Sequence, residues 1–137
     1  MREIHIYTDG GSRGNPGPAA IAVLIYDNQG KLLKSHSEYI GTATNNVAEY
    51  RAVLKALKLA EKLRTGQVVC TLDSQLVASQ LAGRYKIKKP HLRELSGLVK
   101  EAEKKFESVG YMHVKRSDRR IRLADRLLNE ILDKVGR

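Results

Sequence analysis

IHIYTDGGSRGNPGPAAIAVLIY, residues Ile4 to Tyr26, sets the frame for the rest of the chain. Two runs that read as β-strands flank a loop built from Gly10, Gly11, Gly14, Asn15, Pro16, Gly17 and Pro18. In the first run Ile4 and Ile6 alternate with His5, Tyr7 and Asp9, the period of a half-buried strand. Asp9 is read as standing where this strand ends. Asp-Gly alone is a hairpin signal, and Asp is common in turns. A two-residue hairpin needs neither four glycines nor two prolines. So much small, kinked backbone marks a place where something bulky approaches the main chain closely.

Working outward, the second run (Ala19 to Tyr26) leads through Asp27-Asn28-Gln29-Gly30 into a third, Lys31 to Ile40. Turn residues between apolar stretches predict an antiparallel meander. From Asn46 the period becomes helical: in VAEYRAVLKALKLAEKLR, Val53, Leu54, Leu57 and Leu63 are apolar while Lys55, Lys58, Glu61 and Lys62 face water. Gln67 to Leu72 reads as a strand covered on both faces. Ser74 to Leu81 reads as a short helix, His91 to Glu107 as a longer one, Tyr111 to Lys115 as the last strand and Ile121 to Val135 as the last helix. The order βββαβααβα predicts an α/β layer fold, a meander extended by strands reached through helical crossovers.

At 137 residues the chain reads as one domain, 1–137, able to bury its own core. Its 42% hydrophobic and 29% charged shares are those of a globular protein. The single cysteine, Cys70, lies in an apolar run and reads as a core residue. MREIHIY carries no apolar signal segment, and no run approaches the ~20 residues of a membrane span, so a cytoplasmic setting is expected. Lys and Arg outnumber Asp and Glu by 25 to 15, a net charge of +10. The excess gathers at Arg84, Lys86, Lys88 and Lys89 and again at Lys115, Arg116, Arg119, Arg120, Arg122 and Arg126. Such patches point to a polyanion, against the alternative of a merely solvated basic surface.

Four acids stand at informative places. Glu49, near the start of the long helix, shares a line with Ala52, Val53, Ala56, Ala60 and Leu63, the stripe that would press on the sheet. Asn46-x-x-Glu49 also has the form of a capping box. Asp73 follows the apolar VVCTL, at the carboxyl end of a buried strand where α/β sheets place ligands, or else caps the next helix. Asp125 lies at the edge of the last helix's apolar face, with Ile121 and Leu128 beside it. Unpaired, four inward carboxylates would repel and raise one another's pKa values. Two Mg²⁺ ions resolve this, Mn²⁺ being an alternative, because hard cations take oxygen ligands and share them with phosphate. Such a pair can activate water and stabilise a departing phosphodiester oxygen. His5, His36, His91 and His113 are scattered and offer no rival metal site.

YTDGGSRGNPGP, TNNVAEYRAVLKAL, LDSQLVASQLAGRYKIK and LADRLLNEIL, taken in order, resemble the motifs of type 1 ribonuclease H over nearly the whole chain. The resemblance implies a ribonuclease H-like fold: a five-stranded mixed sheet in the order 3-2-1-4-5 with helices on both faces. It implies hydrolysis of the RNA strand of RNA–DNA hybrids, leaving 5′-phosphate and 3′-hydroxyl ends. Asp9, Glu49, Asp73 and Asp125 match the family's metal-binding acids, with Asp9 bridging both ions. Asn15, Asn45 and Gln75 match side chains that read the minor groove and RNA 2′-hydroxyls, a task suited to amides that both donate and accept. Asn46 either joins them or caps the helix, and Ser74 has the same two readings. Gly10 and Gly11 would let backbone approach the RNA strand.

Two features depart from the family pattern. The segment from Lys115 to Arg122 holds no histidine before the last acid, and GRYKIKKP is short where relatives carry a longer basic protrusion. Arg84, Lys86, Lys88 and Lys89 are expected to hold the other strand more weakly, and Lys115, Arg116, Arg119, Arg120 and Arg122 to contact phosphates. An RNA–DNA hybrid is the expected partner of a monomer, with no membrane and no protein partner implied. The alternatives are a non-catalytic nucleic-acid-binding module and another two-metal nuclease of this architecture, such as a resolvase or integrase.

Overall fold

The computed structural model describes residues 2–136. Strand β1 (Glu3–Ser12) lies at the centre of a five-stranded sheet. On one side it pairs antiparallel with β2 (Gly17–Asp27), and β2 with β3 (Leu32–Ala43). On the other it pairs parallel with β4 (Gln67–Leu72), and β4 with β5 (Ser108–His113). The order is thus β3-β2-β1-β4-β5. The helices are α1 (Asn45–Glu61), α2 (Gln75–Leu81), α3 (Pro90–Glu103) and α4 (Arg119–Val135). This is the mixed sheet that the motif resemblance implied.

Alternation sorts the faces. Ile4 and Ile6 of β1, Val23 and Ile25 of β2 and Val68 and Cys70 of β4 pack against Tyr50, Val53 and Leu57 of α1. Ala20, Ala22, Leu24 and Tyr26 face the other way, onto Ala124, Leu128 and Leu132 of α4. Because β2 is covered on both faces, Ala19 to Tyr26 is buried without a break, which is why its sequence reads as one apolar run. Burial pushes the Cys70 thiol up to about 12, so it is a core residue and not a nucleophile.

Several boundaries differ from the sequence expectation. β1 does not end at Asp9: it pairs on through Gly10↔Ile21 and Ser12↔Ala19, so Asp9 sits inside the strand opposite Ala22. The turn narrows to Arg13–Pro16, closed by Arg13 N–H donating to Pro18 O at 2.8 Å. The long helix is capped by Thr44, whose Oγ1 accepts from Val47 N at 3.2 Å, and not by Asn46. α3 stops at Glu103, and β5 begins at Ser108 because parallel pairing of Gln67↔Ser108 through Leu72↔His113 recruits it three residues early. Helix α4 likewise starts at Arg119, where Asp118 Oδ1 accepts from Arg120 N and Ile121 N at 3.0 and 3.1 Å. Arg119, Arg120 and Arg122 therefore belong to a helix and not to a loop.

Arg120 is not a free cation. Its guanidinium lies 3.8 Å from the centroid of the Tyr26 ring and 5.2 Å from that of Tyr7. Those rings meet edge to face at 5.8 Å. Arg120→Ala is expected to lower stability by about 1 kcal/mol through lost stacking and aliphatic packing, read as a fall in the urea midpoint at constant m-value. A purely phosphate-directed Arg120 would leave the midpoint unmoved.

Candidate active site

Four elements deliver one carboxylate each to a single cavity of about 280 Å³. Asp9 comes from the middle of β1 and is 8% exposed. Asp73 stands one residue beyond β4, and the cap of the following helix is Ser74, whose Oγ accepts from Val77 N at 3.2 Å. Glu49 lies in α1, on the same line as the buried Ala52, Val53, Ala56 and Ala60. Asp125 lies in α4, one turn beyond the buried Ile121. All four line the cavity.

What brings Glu49 to Asp9 is the glycine between them in space. A Cβ at Gly10 would run into the carbonyl of Ala48 and the amide nitrogen of Glu49. The missing side chain lets α1 settle directly on β1. The close approach at Gly10 is thus to the protein's own helix, while Gly10 and Gly11 also line the carboxylate cavity. At Gly11 a Cβ would meet only Leu128 Cδ1 at 3.5 Å, an ordinary contact.

The electrostatics follow from burial. Asp9 is pushed up to about 9, first by desolvation and then by the charges of Asp73 and Asp125. Glu49 rises to about 7, again through burial and then Asp73, with the Ser74 hydroxyl and the Arg116 guanidinium opposing. Glu49 Oε2 is buried with no hydrogen-bond partner, a costly condition for a carboxylate unless a cation completes it. Arg116 Nε lies 3.4 Å from Asp73 Oδ2, among the described residues the one cation in direct contact with any of the four. The donor set is all oxygen, which suits a hard divalent cation. Among the described residues no three His, Cys, Asp or Glu side chains already stand together as an ion's ligands.

Beside the acids, two amides knit the turn to the helix. Asn45 Oδ1 accepts from Ser12 N at 2.8 Å, and Asn15 Oδ1 accepts from Asn45 N at 3.0 Å. With both oxygens engaged, the Nδ2 groups are the donors left to a ligand. Asn45 lines the cavity with the acids, whereas Gln75 is exposed at the start of α2 and does not. Asn46, half-buried, follows Asn45 in the first turn of α1. Arg84, Lys86, Lys88 and Lys89 are exposed between α2 and α3, and Lys115 is exposed beyond β5. His113 ends β5 and is exposed.

Two roles were not legible beforehand. Arg13 lines the carboxylate cavity and pins the β1–β2 turn to α4 through Asp133 Oδ1 at 2.6 Å and Asn129 Oδ1 at 3.2 Å. Arg116 faces an acid, not open solvent alone. Only the SRGNPGP turn hints at the first, and nothing in sequence pairs Arg116 with Asp73.

An antiparallel meander continued by two parallel strands, with one acid on each of four elements, defines the ribonuclease H-like class. A family profile described as reverse transcriptase-like matches residues 7–130. The chain is 38% identical over 130 residues to ribonuclease HI of Halobacterium salinarum, covering 95% of this chain and 64% of that protein. It is 39% identical over 132 residues to a bifunctional protein of Mycobacterium tuberculosis, covering 96% of this chain but 36% of the relative, so it spans about a third of that protein's length. A ribonuclease H1 solved in complex with an RNA/DNA hybrid superposes with a TM-score of 0.90 at 40% identity, covering 98% of this chain and 99% of that one. The chain belongs to the ribonuclease H family.

Proposed function

We propose that the chain cleaves the RNA strand of RNA–DNA hybrids with divalent cations, two Mg²⁺ ions, held by Asp9, Glu49, Asp73 and Asp125. One observation carries this reading: Asp9 and Glu49, both held above the ordinary carboxylate range by burial, meet two further acids in one cavity. A module that only bound nucleic acid would gain nothing from negative charge set where phosphate must approach. The relative solved with RNA/DNA hybrid supports the choice of substrate.

Bound there, the ions would supply a more acidic water and stabilise charge on the departing oxygen. The chain's own residues do the rest. Asp9 and Glu49 hold their carboxylates in a dry, fixed geometry set by the β1–α1 contact at Gly10. Asn15 and Asn45 present amide donors to 2′-hydroxyls and base edges. Arg116 and Lys115 draw phosphate in; the Arg116 guanidinium, held protonated by its hydrogen bond to Asp73, does not shuttle protons near neutral pH, so water takes that part. Asn46, Ser74 and Gln75 complete the substrate side, and Arg84, Lys86, Lys88 and Lys89 hold the DNA strand electrostatically.

The test compares end-labelled RNA–DNA hybrid, duplex RNA and duplex DNA, each with Mg²⁺ and with chelator. The reading requires 5′-phosphate products from the hybrid alone and only with the ion; equal cutting of duplex DNA would assign the fold to another nuclease class. A second expectation concerns Asn45→Ala. It is expected to weaken hybrid binding by about 0.5–1.5 kcal/mol, several-fold in KM, while duplex DNA binding changes less. Equal loss on both would remove the 2′-hydroxyl role.

A further inference from the structure

A second cavity adjoins the one that holds the four acids. It measures about 870 Å³ and lies between the first turns of α4 and the β2–β3 turn at Gly30. Arg119, Arg122 and Arg126 line it, with Arg120 laid over Tyr26 as part of its wall. Asp125 lines both this cavity and the carboxylate cavity, so the two are continuous across one residue.

These arginines are placed to take an anion. Among the described residues no carboxylate lies within ion-pair distance of Arg119, Arg122 or Arg126; Arg51, Arg64, Arg84 and Arg93 also lack one, but do not line this cavity. Asp118, which precedes Arg119, is committed to capping Arg120 N and Ile121 N. The first turn of α4 also breaks a local rule. It carries no acid and reads RRIR, cations at the positive end of a helix, where the macrodipole and mutual repulsion both disfavour them. Sequences that violate local preference in this way do so at functional sites.

Arg119, Arg122 and Arg126 follow i, i+3, i+7 spacing, so they form one stripe spanning ~10 Å of helix. Phosphates on one nucleic-acid strand recur every ~3.4 Å along the axis, so the stripe spans roughly three of them.

We propose that this cavity and its stripe, Arg119–Arg122–Arg126, form a second phosphate-binding surface for the nucleic-acid strand leaving the carboxylate cleft past Asp125. It extends the substrate site to a flank that the cleft itself does not reach. Arg120 is a wall held by the tyrosines, and the three exposed arginines are the contacts. The proposal rests on the hybrid-cleavage reading for the identity of the strand, but its test does not need cleavage.

The experiment measures binding without cleavage, in chelator, at two salt concentrations. It compares wild type with the triple variant Arg119→Gln, Arg122→Gln, Arg126→Gln, leaving Arg120 in place. The probes are a hybrid too short to reach beyond the cleft, one longer by a full helical turn at each end, and a mononucleotide. The variant should lose at least ~10-fold in affinity for the long hybrid, its salt slope falling by ~2–3, with the short hybrid unchanged. Thermal stability should hold or rise, because unfavourable charge leaves the start of α4. Equal loss on both hybrids, or loss on neither, overturns the proposal. Mononucleotide binding as tight as that of the long hybrid, lost in the variant, would make the cavity a small-anion site and also overturn it. If wild type fails to cleave hybrid yet shows the length-dependent loss, the surface stands and the enzymatic reading fails.

Discussion

Asp9→Asn is expected to abolish hybrid cleavage and, in chelator, to make the protein more stable than wild type. The activity loss should reach at least ~10³-fold, since one carboxylate ligand contributes several kcal/mol and each ~1.4 kcal/mol is tenfold. The stability gain follows from linkage. Asp9 has an ordinary carboxyl pKa of 3.8 and is raised to about 9 in the fold. A group whose folded pKa is raised contributes stability that is fully present below its unfolded value and lost as pH rises through the folded one. At about pH 8 the native wild type must either keep Asp9 protonated, against the solvent, or bury its charge beside Asp73 and Asp125. Asparagine removes that dependence, and the variant should be more stable by a few kcal/mol. The advantage should shrink steadily toward pH 4 and vanish there. Urea midpoints of both proteins across that range decide it. A variant less stable than wild type at about pH 8 would mean that Asp9 is not charge-strained.

Gly10→Ala is expected to damage stability and activity together. Its Cβ would fall within 2.6 Å of Glu49 N and closer still to the Ala48 carbonyl. Those neighbours are backbone and cannot swing aside, so α1 must move off β1. Overpacking of this kind costs about 3 kcal/mol. Because the displaced helix carries Glu49, activity should fall with stability, by ~10²-fold for a misplacement near 1 Å. Gly11→Ala is the control: it meets Leu128 Cδ1 at 3.5 Å, an ordinary contact, and should change stability by less than about 1 kcal/mol. If the two variants behave alike, the β1–α1 contact does not position Glu49.

The elements and the inward placement of Glu49 and Asp73 were legible from short-range patterns: alternation in β1, the apolar line below Glu49, the buried run before Asp73. The strand order came from the motif resemblance and not from any local pattern. Legibility failed where tertiary pairing or an unlike partner decides. Nothing local says that β1 continues past Asp9, because Gly10 and Gly11 read as turn while β2 supplies partners out to Ser12. Ser108 enters β5 through its pairing with Gln67, against a local pattern that places the strand later. Nothing local says that Gly10 also seats α1 on β1; only the fold shows that contact. The basic segment from Lys115 to Arg122 looked uniform, and the structure divides it: Arg116 against Asp73, Arg120 on Tyr26, Arg119 and Arg122 unpaired.

The central claim is that four clustered carboxylates, Asp9 buried and the other three half-buried, are a cation site whose repulsion the ion relieves. The most direct measurement is the melting temperature at about pH 8 as Mg²⁺ is titrated in, with no substrate present. Wild type should gain stability as RT ln(1 + [L]/Kd), ~2.7 kcal/mol at a hundredfold excess over Kd. Asp9→Asn should respond far less. A flat wild-type curve, or one matched by the variant, would contradict the account.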